Sequence, residues 1–167
     1  AWAWDPGNPN LTGLPPEGQT YTRGTPNVWS AMSYDAKLNL IYLPTGNATP
    51  DLWAGERTAL DDKYSSSIVA VDATTGQVRW HFQTTHHDLW DFDVPSQPLL
   101  YDLPDGKGGT TPVLVQTSKQ GMIFMLNRAN GKAVAKVEAR PVSAGNLEGE
   151  RYAPTQPYCV VMQSVSH

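Results

Sequence analysis

Cysteine is almost absent: Cys159 stands alone among 167 residues. One thiol excludes an internal disulfide, so the core must hold the fold. Charge is scarce as well, at 17% of residues with a net value of −4. No stripe of Lys and Arg could neutralise a phosphate backbone, which excludes nucleic acid as a partner. No apolar run is long enough for a membrane span. The first residues, "AWAWDPGNPN", lack the basic and apolar regions of a signal peptide. The chain therefore either works in the cytosol or is a piece of something longer.

Glycine, proline and tryptophan, by contrast, are plentiful, at 14, 14 and 6 residues. The Gly and Pro leave little room for long helices. Between them lie short runs rich in β-branched and aromatic residues: 39–46, 66–73, 77–84, 112–118 and 121–128. Each is predicted to be a strand. Their connectors, "DATTGQ" (72–77) and "NRANGK" (127–132), put Gly four residues after Asp or Asn, as tight hairpins require.

Those two hairpins also resemble each other. "IVAVDATTGQVRW" (68–80) aligns without gaps on "IFMLNRANGKAVA" (123–135), and "AMSYDAKLNLIYL" (31–43) is a weaker copy. Their unequal spacing is attributed to an excursion, "YDLPDGKGGTTP", before the last copy. Strand repeats of roughly 40–50 residues predict all-β propeller blades, each a four-stranded antiparallel sheet. An ordinary β-sandwich with similar hairpins is the alternative. About three blades fit in this length. Residues 1–167 are thus expected to be a partial propeller domain whose open blade faces favour self-association.

Three further stretches carry chemistry-bearing side chains: "TPNVWSAMSYD" with Trp29, "PTGNATPD" with Asn47, and "SKQG" with Lys119. A fourth, "HHDLWDFD" (86–93), holds two His, three carboxylates and Trp90. Taken alone, Asp91 reads as a turn carboxylate, Asn47 as a left-handed turn residue and Lys119 as a solvated hairpin tip. His86 and His87 are adjacent, so on a strand they point to opposite faces and cannot readily grip one metal. Asp88 and Asp93 read as hydrogen-bonding scaffolds for their loop.

Together, these motifs resemble the pyrroloquinoline quinone (PQQ) dependent dehydrogenases of alcohols, sugars and polyols, which are eight-bladed propellers. The resemblance covers residues 2–158. "AVDATTGQVRW" is similar to the family's tryptophan docking motif, with Trp80 as the indole packed between blades. The separations Trp29–Asn47, Asn47–Asp91 and Asp91–Lys119, at 18, 44 and 28 residues, are similar to those of methanol dehydrogenases. Segments 25–47 and 86–103 look most like the membrane-bound branch, which includes glucose and quinate/shikimate dehydrogenases. "AWDPGNPN" (3–10), "EGQTYTRGTPNVWS" (17–30) and "GTTPVLVQTSKQG" (109–121) lean towards quinate/shikimate. After Tyr158 the chain departs from the family pattern, so nothing carries over to Cys159–His167.

The resemblance implies PQQ and Ca²⁺, or Mg²⁺ in its place, as cofactors. It implies Asp91 as catalytic base, Asn47 and Asp91 as metal ligands, and Asn47, Lys119 and Trp29 as cofactor-binding residues. It implies a small polyol substrate, ubiquinone as acceptor, and a parent protein anchored on the periplasmic side of the bacterial inner membrane. The anchor and remaining blades would lie outside this chain. A non-catalytic propeller scaffold is the alternative from another class.

Overall fold

The computed structural model describes residues 26–55 and 57–160. The stretches 3–10 and 17–25, which lean towards quinate/shikimate in sequence, lie outside the described residues, as do 161–167.

Four strands form the first antiparallel sheet in the order β1 (Ser33–Asp35), β2 (Leu40–Pro44), β3 (Ser67–Asp72) and β4 (Val78–Gln83). Neighbours in the sheet are neighbours in sequence, so this is an up-and-down blade. A second sheet joins β5 (Leu99–Pro104), β6 (Thr110–Thr117) and β7 (Ile123–Asn127), with a bridge from Leu126 to Ala133 continuing it. β8 (Val137–Pro141) and β9 (Thr155–Cys159) pair as a third, shorter sheet. A six-residue helix, α1 (Ala59–Tyr64), interrupts the β2–β3 connection.

The hairpin turns share one hydrogen-bond scheme. Asp72 Oδ1 accepts from Thr74 N and Thr75 N, and Gly76 N donates to Asp72 O at 2.8 Å. Asn127 does the same with Ala129 N, and Gly131 N donates to Asn127 O at 2.8 Å. Gly76 and Gly131 share φ values of 72° and 73°, a region that penalises a Cβ. In the weaker copy Asp35 caps Lys37 N and Leu38 N, and Asn39 takes the same offset at φ 54°. Asparagine tolerates that region better than other side chains. The sequence excursion 101–112 is in fact β5, a Gly-rich turn and the start of β6; Pro104 ends β5 on the sheet edge, where no ladder bond is lost.

β3 is buried on both faces. Ile68 and Ala70 join Leu40, Tyr42, Trp80, Leu114 and Leu126 in the core between the first two sheets. Val69 and Val71 face the other way, against Tyr64 of α1. Trp80 sits on the turn of the next blade: a Cβ at Gly131 would lie 2.7 Å from its ring, and its Nε1 donates to Arg128 O at 3.1 Å. The indole thus packs between adjacent blades as the sequence predicts. Arg128 also links the blades, reaching Asp35 Oδ2 at 2.5 Å and Asp102 Oδ1 at 2.6 Å.

Candidate active site

The strand directions bring the site together. β2 and β4 end, and β1 and β3 begin, on one side of the first sheet; β6 ends and β7 begins on the same side of the second. Trp29 precedes β1, Asn47 follows β2, Asp91 lies in the β4–β5 connection, and Lys119 lies in the β6–β7 turn.

Lys119 crosses from the second sheet to the first. Its Nζ donates to Asp91 O at 2.7 Å, Asp91 Oδ2 at 3.2 Å and Asp93 Oδ2 at 3.0 Å. Burial pulls the Lys119 pKa down, but the hydrogen bonds it donates to Asp93 and Asp91 prevail and hold it above its ordinary value. The other oxygen of Asp93 accepts from the backbone N–H of Asn47. Gly46 is wedged beside it: a Cβ there would lie 3.0 Å from Asp93 Oδ1 and 3.3 Å from the Trp29 indole. Trp29 itself is 56% exposed. Trp29, the Gly46–Asn47 turn, Asp93, Asp91 and Lys119 therefore form one connected cluster.

Asp88 organises the loop beneath. Fully buried, it accepts from Ser66 Oγ at 2.5 Å, Trp90 N at 2.9 Å and Phe92 N at 2.7 Å. Burial pushes its pKa up, opposed by those three donors and the Arg57 charge. The loop delivers Asp91 with φ 59°, an uncommon value for a non-glycine residue, and the Lys119 bond to its carbonyl holds it there. Its side chain stays about half exposed, at 46%.

The two histidines diverge. His86 Nδ1 meets Thr155 O at 2.9 Å, and its backbone exchanges hydrogen bonds with the Gln156 side chain. His87 lies between Asp62 Oδ2 at 3.0 Å and Glu150 Oε1 at 3.3 Å. Neither contacts Asp91.

Asn47 is 5% exposed and fully engaged. Its Nδ2 donates to Asp51 O at 3.0 Å and Asp88 O at 3.3 Å; its Oδ1 accepts from Ser65 Oγ at 2.8 Å and Ala48 N at 2.9 Å. Among the described residues no group of three or more His, Cys, Asp or Glu is placed to hold a metal ion. The donors at hand are all oxygen, the chemistry a hard divalent cation prefers. Rotation of the Ser65 hydroxyl would release a lone pair of Asn47 Oδ1 to such an ion. An exposed indole face beside an ammonium group likewise suits a flat, acidic quinone. The residues fit both groups, with further metal ligands required.

Sequence reading overlooked Ser65 and Arg57, which have no motif, and took Asp93 for a loop scaffold only. No pattern signalled Asp93, because Asp91 sits at φ 59° in a loop and strand alternation does not apply there.

Comparison with known proteins decides the family. The PQQ family model described as "Glucose/ethanol/alcohol dehydrogenase, beta-propeller domain" matches residues 1–167. The chain belongs to this family. A probable quinate dehydrogenase (quinone) of Xanthomonas campestris pv. juglandis is 49% identical over 161 residues, 96% of this chain and 20% of the relative. The quinate/shikimate dehydrogenase (quinone) of Acinetobacter baylyi is 43% identical over 166 residues, covering 99% and 20%. The quinoprotein glucose dehydrogenase of Escherichia coli is 46% identical over 157 residues, covering 94% and 20%. Among solved structures, the quinohemoprotein alcohol dehydrogenase of Comamonas testosteroni superposes with a TM-score of 0.58 at 32% identity, covering 82% of this chain and 20% of that one. This member of the PQQ family thus spans about a fifth of the length of its curated relatives. It is a fragment of a β-propeller, as its strands predict.

Proposed function

We propose that this chain carries the proton-accepting carboxylate and part of the cofactor platform of a PQQ-dependent dehydrogenase. The observation that carries the reading is the Lys119 bridge to Asp91 and Asp93 beside the exposed Trp29 ring. The bridge ties two sheets together, but a plain scaffold would have no need of an exposed indole and a half-exposed carboxylate beside it.

Alcohol oxidation removes a hydroxyl proton and a carbinol hydride together. PQQ supplies the two-electron acceptor and a bound Ca²⁺ or Mg²⁺ makes its carbonyl electron-poor. Asp91 takes the hydroxyl proton as general base, a role worth ~10²–10⁴ in rate. Its partial exposure leaves it reachable by a substrate, while Lys119 fixes its direction. The same ammonium group is placed to donate to an oxygen on which negative charge accumulates. Trp29 offers a stacking face, and Asn47, through its neutral side-chain oxygen, and Asp91, through its carboxylate, are the residues that would hold the cation.

We assign quinate or shikimate as substrate, following the activities named for the Xanthomonas and Acinetobacter relatives. Glucose is the second reading, favoured by an Escherichia coli relative whose identity falls between theirs. In either case electrons pass to ubiquinone, with the whole protein anchored on the periplasmic side of the bacterial inner membrane. No helix among the described residues is long and apolar enough to cross a membrane.

The test uses the whole protein. PQQ with Ca²⁺ is expected to quench tryptophan fluorescence and to support turnover of quinate or shikimate with a ubiquinone analogue. Turnover of glucose alone would reverse the substrate order, and absence of quenching would favour a non-catalytic scaffold.

A further inference from the structure

Arg57 is 5% exposed, bears no motif and hydrogen-bonds to none of the residues assigned to the reaction. Its donors converge on two loops. Nη1 donates to Asp88 O at 2.6 Å; Nη2 donates to Asp51 O at 3.1 Å and to Pro50 O; Nε also donates to Pro50 O, at 3.1 Å. Two of these carbonyls, Asp51 O and Asp88 O, are the same two that accept from Asn47 Nδ2.

We infer that Arg57 is a positioning residue that sets the amide of Asn47 and clamps its turn to the loop that carries Asp91. A carbonyl oxygen has two lone pairs, and here Arg57 and Asn47 each supply a donor to both oxygens. With only acceptors in front of it, the Asn47 side chain must present its NH₂ there. Its oxygen is thereby turned the other way, towards Ser65 Oγ and Ala48 N. The guanidinium is a rigid planar fork, so it holds carbonyls 50, 51 and 88 in one fixed relation. Lysine, with a single compact ammonium group, cannot span the set. The clamp is itself anchored, because Arg57 immediately precedes Thr58, the N-cap of α1, whose side chain and Asp61 form a reciprocal capping box. Burial pulls the Arg57 pKa below its ordinary value, and the charges of Asp62, Asp88, Glu150 and Asp51 oppose that pull only in part.

The importance of the clamp for metal loading rests on the quinoprotein reading; its geometry does not. Whole-protein Arg57→Lys and Arg57→Met variants are therefore examined in two ways. Amide hydrogen exchange without cofactor is expected to rise together in 48–52 and 88–92, with the β3 and β6 strands unchanged. The Ca²⁺ concentration for half-maximal reconstitution with PQQ is expected to rise about 10- to 100-fold, the range for residues that orient metal ligands, with kcat at saturating Ca²⁺ changed much less. Millimolar guanidinium is expected to restore the Arg57→Met variant, whereas ammonium does not. Unchanged exchange in both segments, or a rise in only one, would overturn the clamp. If Arg57→Met does not fold, Arg57→Lys decides. Wild-type protein that binds no PQQ would end the functional reading, yet the exchange measurement would still judge the clamp.

Discussion

The Asp91 carboxylate is fixed from below and free above: Lys119 binds one oxygen and the carbonyl, while nearly half of the side chain meets solvent. Asparagine at this position keeps the shape but cannot take up a proton. Asp91→Asn in the whole protein is expected to lower kcat by about 10²–10⁴ and to leave PQQ quenching of tryptophan fluorescence intact. Gly46 offers a separate check at this scale. An added methyl group would push against Asp93 and the Trp29 indole, so Gly46→Ala is expected to weaken PQQ binding several-fold with little change in thermal midpoint. Titration with the cofactor and a melting curve read the two effects separately. Trp29, Asn47, Asp91 and Lys119 were singled out by the family resemblance, because each read alone is an ordinary turn or strand-end residue. Arg57 and Ser65 were not, since their importance comes from carbonyls that only folding brings near.

At the level of strands and turns, the hairpins were readable because Asp or Asn capping followed by a left-handed residue leaves a local chemical signature. β5, β8 and β9 were missed. β5 has exposed Leu99 and Tyr101 on one side and ends in proline, so its apolar alternation is weak. The contacts between blades make stronger predictions. Trp80→Ala removes a buried indole and its bond to Arg128 O, and is expected to cost ~3–5 kcal/mol in denaturant unfolding of the whole protein. Asp35 gives a pH effect. Burial raises its pKa, but the Arg128 hydrogen bond and the Leu38 and Lys37 amides outweigh burial and hold it below the ordinary carboxylate value. Because its folded pKa is depressed, the stability it contributes is present above the unfolded value and is lost as pH falls through the folded one. Wild-type protein is therefore expected to lose stability on acidification below about pH 4, and Asp35→Asn to lose less over the same interval. Unfolding midpoints at pH 7 and pH 3 measure the difference.

For the whole molecule, one four-stranded blade, a second nearly complete and a third begun leave edges that blades elsewhere in a ring would cover. β5 presents Leu99 at 62% exposure and Tyr101 at 52%. Expressed by itself, the 167-residue chain is expected to elute from size-exclusion chromatography ahead of a monomer and to reduce no dye with PQQ and Ca²⁺. The strand repeat made this architecture visible before any coordinates. Substrate choice was not visible, because quinate and glucose relatives share the motifs that this stretch contains.

The ammonium group of Lys119 belongs to one blade and the two carboxylates it grips belong to another, so the pocket works like a caliper whose jaws are separate sheets. The seam between those sheets is held, at a distance from the jaws, by Trp80 and Arg128 as well. Slight warming that loosens this seam is expected to misalign Lys119 and Asp91 while every strand stays paired, so that the proposed catalysis fades before the sheets melt.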